Sequence, residues 1–126
     1  MKKIDNRPQF LNLLKIRLPI TGIVSINHRI SGLLLFLAMP FSLYLFQLSL
    51  SSEEGYAQML ECISSTWFKL LLVIMLWSFL HHLLAGFRFL LIDLTIGINL
   101  PAARKSSWFV IVAAIVLTLV FVGWGL

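Results

Sequence analysis

From Trp67 to Leu94 the chain reads WFKLLLVIMLWSFLHHLLAGFRFLLIDL. Apolar side chains fill most positions all the way round a helix, and ~20 such residues cross the hydrocarbon core of a bilayer. The stretch is therefore a membrane-spanning helix, and the polar residues inside it need a reason. Two adjacent imidazoles, His81 and His82, lie well within the apolar run, with Arg88 and Asp93 following toward one end.

Two more stretches have the same character, roughly Ile20–Leu50 and Trp108–Leu126. The whole chain of 126 residues is 60% hydrophobic and 12% charged, whereas a soluble domain carries about a quarter charged residues. The fold class is all-α: a single domain over residues 1–126 forming an integral membrane three-helix bundle, up-down-up. The first span is longer than a secretory h-region of ~7–15 residues, and no small-x-small cleavage site follows it, so it is expected to be retained. The lone cysteine, Cys62, forms no internal disulfide, and no Cys cluster suggests an iron–sulfur or zinc site.

The net charge of +5 reports orientation, not nucleic-acid binding. Lys2, Lys3, Arg7, Lys15 and Arg17 precede the first span, and Arg104 and Lys105 lie between the second and third. The first connection, about Ser51–Thr66, has Glu53, Glu54 and Glu61 and no Lys or Arg. The positive-inside rule then puts the N-terminus in the cytoplasm and the C-terminus on the outer, periplasmic side of the inner membrane. Tyr56, Trp67, Trp108 and Trp124 fall where aromatic rings favour the headgroup level. Lys69 is placed to snorkel outward, Pro40 to kink the first helix, and Pro19 to occupy a first helical turn. Before that helix, Phe10, Leu11, Leu13, Leu14, Ile16 and Leu18 alternate with basic residues. Such an N-terminal segment either lies in the membrane interface or docks on a soluble partner.

Ionisable residues inside spans usually face the bundle interior or a polar cavity. On the first helix Thr21, Ser25, His28, Arg29 and Gly32 recur at steps of three and four, forming one stripe. Either the stripe marks a helix end at the headgroups or it faces protein, cofactor or water. On the second helix His82, Gly86, Phe89 and Asp93 share one face, and His81, Ala85 and Arg88 the next. A deep histidine either hydrogen-bonds across helices or ligates a metal such as haem iron, for which neutral imidazole is suited. Gly86, one turn from His82, leaves room for a flat macrocycle. With Arg29 and Arg88 at one level, His82 lies about 9 Å deeper than Arg88. On that count His28 is too near the surface to oppose His82 across one iron; a second axial ligand would then come from another chain, or from His81, which points about 100° away from its neighbour.

Ser25-Ile26-Asn27-His28-Arg29-Ile30-Ser31-Gly32 resembles the Ser-Ile-x-His-Arg-x-Ser/Thr-Gly motif of the succinate dehydrogenase cytochrome b subunits. His82-Leu83-Leu84-Ala85-Gly86-Phe87-Arg88, continuing to Asp93, resembles that family's second motif, in which a His often follows the Arg; here it is Phe89. Arg7-Pro8 is similar to the family's opening. The resemblance implies one b-type haem shared with a second hydrophobic anchor subunit. It implies His82 as an axial ligand, and His28, Arg29 and Arg88 around the propionates. Ser25 and Arg29 would belong to a ubiquinone pocket, where a guanidinium stabilises negative charge developing on the quinone. A flavoprotein and an iron–sulfur subunit would complete the assembly, because this chain alone carries no dehydrogenase chemistry. A fumarate reductase anchor and a small transporter subunit, with Arg29, Arg88 and Asp93 along a polar path, are the alternative readings.

Overall fold

The computed structural model describes residues 17–125. The interfacial segment and Arg7-Pro8 lie outside the described residues, apart from Arg17 and Leu18. Among the described residues the chain forms α1 (Ile20–Ser51), α2 (Glu53–Ser64), α3 (Thr66–Asp93) and α4 (Leu100–Gly125). Three of them, α1, α3 and α4, are long and apolar enough to cross a membrane. The chain is a multi-pass membrane protein.

The expected first connection is itself a helix. Ser52 caps α2 by accepting from the Gly55 N–H at 3.0 Å, and Glu53 and Glu54 occupy its first turn, where negative charge complements the helix dipole. Ser65 alone separates α2 from α3 and caps the latter through the Phe68 N–H. The third span also starts earlier than its apolar run. Asn99 accepts from the Ala102 N–H at 2.9 Å, and α4 begins at Leu100, so Arg104 and Lys105 are helical. Polar residues end a hydrophobic span without ending a helix, because backbone hydrogen bonds continue into the interface. Pro19 is the N-cap of α1 and stands one position outside it. α1 runs on through Pro40; its 32 residues span about 48 Å, longer than a bilayer core of ~30 Å.

The bundle is built around α3, which packs antiparallel on both α1 and α4, while α4 also touches α1 and α2 lies mainly on α1. Side chains at the centre are small: Val24, Ala85 and Val110 form the apolar cluster, and Ala114, Ser31, Ser78 and Ser107 are fully buried with them. Large apolar side chains point outward, Phe36 at 67% and Trp124 at 88% exposure. Lipid solvates Phe and Leu as well as a protein interior does, so close backbone approach by small residues holds such helices together.

Candidate functional site

α3 presents His82 to α1. Its Nδ1 lies 3.1 Å from the backbone carbonyl of His28 and 3.3 Å from Ser31 Oγ. The Ser31 hydroxyl donates to the same carbonyl at 2.9 Å. A carbonyl only accepts, so a neutral His82 carries its proton on Nδ1 and keeps the lone pair on Nε2. A metal-ligating histidine is held in the same way, with one nitrogen tied to a carbonyl and the other free.

Gly32 makes this approach possible. A Cβ built there would lie 2.9 Å from His82 Cε1 and 3.3 Å from Nδ1, closer than a methyl group can sit. Across the pair, a Cβ on Gly86 would meet only His28 Nε2, at 3.7 Å. His82 and Gly86, with Leu83, Phe87 and Leu90, line a shallow apolar groove of about 210 Å³ on the outer surface of α3. A larger cleft of about 790 Å³ opens between α1 and α3 one turn further along, walled by residues such as Ala38, Phe41, Met75 and Phe79.

His28 is not remote from His82. The two rings stack with centroids 4.1 Å apart and planes 9° from parallel, which corrects the depth read from the sequence. That count placed Arg29 and Arg88 level. In the structure Gly32 meets His82 and Gly86 meets His28, so Arg88 lies about a turn nearer the end than Arg29. Rings leaning along the helix axes close the remaining gap. The stacked pair still does not sandwich one iron, because trans axial imidazoles point their nitrogens at each other, not their faces. Phe89 meets the His28 ring edge-on at 5.2 Å.

The other residues singled out in the sequence separate. Ser25 is half-buried on α1 and Arg29, one turn along, is exposed, so the stripe divides between the α3 interface and the outside of the bundle. Arg88 is not brought to the His28–His82 pair. Its position on α3 is about 120° round from His82, and its Nε donates to Ser106 Oγ on α4 at 3.0 Å. His81 turns into the bundle, fully buried, with neither ring nitrogen in a well-formed hydrogen bond among the described residues, although the Val24 backbone approaches it, and with Trp77 stacked beside it at 5.2 Å. Sequence reasoning passed over Ser31, although its place three residues after His28 and next to Gly32 puts it on the α3-facing side.

The match to known proteins covers most of the chain. Residues 3–121 fit the family model for the succinate dehydrogenase/fumarate reductase transmembrane subunit. The chain belongs to this family. A succinate dehydrogenase cytochrome b556 subunit of Coxiella burnetii is 39% identical over 111 residues, which is 87% of this chain and 89% of that protein. Proteins of the same description from Rickettsia felis and Paracoccus denitrificans are 32% and 30% identical, covering 91% and 89% of this chain and 90% and 86% of their own length. Membership replaces the transporter alternative: the chain is an anchor subunit of the succinate dehydrogenase/fumarate reductase type.

Proposed function

We propose that this anchor holds one b-type haem through Nε2 of His82 and helps form a ubiquinone-reduction site in a succinate dehydrogenase. The observation that carries this reading is the state of His82. Nδ1 is engaged by the His28 carbonyl and Ser31, which leaves Nε2 as the ligating atom, beside a groove floored by Gly86. The donor set suits haem, whose macrocycle supplies most of the iron's ligands and needs few from protein. The His28 ring stacks face to face on His82 and so would not serve the same iron; a second hydrophobic anchor subunit would supply the other nitrogen, as the family resemblance implies. When bound, haem supplies a one-electron relay beside the quinone.

The chain's own residues orient and stabilise. Gly32 sets the His82 ring against α1, and the His28 carbonyl fixes its tautomer. His28 and Arg29 serve the propionate side; Arg88 is omitted because its guanidinium faces α4. Ser25 hydrogen-bonds a quinone oxygen, and exposed Arg29 stabilises the negative charge that grows there as electrons arrive. Protons come through water or a partner residue. An iron–sulfur subunit on the side of the N-terminus delivers the electrons, taken from succinate by a flavoprotein. The positive-inside rule supports an inner membrane in which the N-terminus and the α3–α4 connection are cytoplasmic and α2 and the C-terminus are periplasmic.

The test is purification of the complex in mild detergent, a reduced-minus-oxidised visible spectrum and identification of co-purifying chains. A b-type band and three further subunits are expected; a complex without haem sinks the reading. Arg29→Leu should depress quinone reduction by about tenfold or more while sparing succinate oxidation by a soluble dye. Equal loss of both activities points to assembly instead.

A further inference from the structure

Arg88 is 6% exposed, and nothing in the proposed electron path uses it. Its guanidinium donates through Nε to Ser106 Oγ at 3.0 Å and through one terminal nitrogen to the Ala103 carbonyl at 3.4 Å. Neither acceptor is charged. The face of Phe89, 5.3 Å from the guanidinium carbon, offers a weak cation–π contact. Asp93 is exposed and lies about 140° round α3 from Arg88. A guanidinium has five N–H donors, so several remain unspent on a buried cation. Such a charge inside a membrane protein demands a counter-anion.

Arg88 and Ser106 also line a cavity of about 310 Å³ between α3, the turn that follows it and α4. Its other walls are apolar, among them Phe87, Leu91 and Phe109, with Ala102 at the first turn of α4. Arg104 and Lys105 are exposed on that same end of α4, Lys105 within about 60° of the helix face that carries Ala102 and Phe109, and Arg104 on the opposite side. The occupant that matches is amphiphilic: an anionic group for the guanidinium, joined to a hydrocarbon chain for the wall. A propionate or a free phosphate lacks the chain, and a neutral headgroup lacks the net charge.

We infer that this cavity binds one anionic phospholipid, with its phosphate oxygens on Arg88 and Ser106 and an acyl chain along Phe87, Leu91 and Phe109. The site is separate from His82 and holds whether or not His82 ligates iron. It belongs to the leaflet at the basic end of the bundle, where exposed Arg104 and Lys105 raise the local concentration of anionic lipid.

The intact complex would be placed in nanodiscs of equal phosphatidylglycerol and phosphatidylcholine, re-extracted, and its retained lipid counted by native mass spectrometry. Both lipids offer a phosphate, but in phosphatidylcholine the choline cation offsets it, so phosphatidylglycerol should be retained over phosphatidylcholine by about fivefold, the worth of one basic side chain toward net anionic lipid. Arg88→Gln should abolish the preference while the haem spectrum reports an assembled complex. Ala102→Phe, which keeps the charge and fills the cavity, should lower retention as well. Equal retention of both lipids by the unaltered complex overturns the inference. So does an unchanged preference in Arg88→Gln, which would assign the counter-anion to a protein carboxylate. Displacement of the lipid by added inorganic phosphate would reveal a simple anion site and also overturns it.

Discussion

His81 and His82 are neighbours in sequence with opposite surroundings. His82 leans on α1, its Nδ1 against a carbonyl and a serine, and one edge opens to a groove outside the bundle. His81 turns toward the interior of the three long helices, where both of its nitrogens are buried and make no well-formed hydrogen bond among the described residues. Burial inside a membrane helix does not make a ligand. What distinguishes the two is a fixed tautomer and a lone pair that something outside the chain can reach. The His82 side also needs a glycine opposite it, whereas His81 is as fully buried as the Val24 and Ala85 of the apolar core.

Substituting each histidine in turn is the most direct way to break that contrast. His82→Leu should remove the b-type band from the assembled complex; persistence of the band at full stoichiometry would transfer the ligand role elsewhere. Gly32→Val should come next in size. Its side chain would enter the space of the His82 ring, at a cost of about 1–3 kcal/mol for overpacking, read as weakened haem retention with the complex still assembled. Haem retained as tightly as before would mean that the ring does not need this gap. Ser31→Ala keeps the packing and removes one hydroxyl from Nδ1. Losing a hydrogen-bond partner of a ligating ring lowers metal affinity by about 10–100-fold, and the low end is expected here because the His28 carbonyl remains. The smallest effect belongs to His81→Phe. It replaces orphaned polar atoms with an apolar ring of similar shape, so stability should stay within about 1 kcal/mol or rise, with the haem spectrum unchanged. A lost spectrum in this variant alone would invert the assignment of the two residues.

Much of the fold was legible along the chain. Run length and hydropathy settled three spans, since a bilayer tests those two properties almost alone. The choice of His82 over His81 rested on the one-turn spacing to Gly86, and that spacing does place both on the groove. The helix in the acidic connection was missed because its signals are caps, Ser52 and Ser65, in a segment judged by charge. The early start of α4 was missed for a related reason: hydropathy marks where the membrane ends, not where the hydrogen bonds do.

The sequence by itself determined that this chain crosses a membrane and which residues share a face of each helix, because helical periodicity is a property of one helix. How far each helix is rotated and slid against its neighbours was decided only in the folded bundle, by contacts between small residues. That is why the stacking of His28 on His82, the part played by Ser31 and the turn of Arg88 toward α4 could not be counted out along the chain.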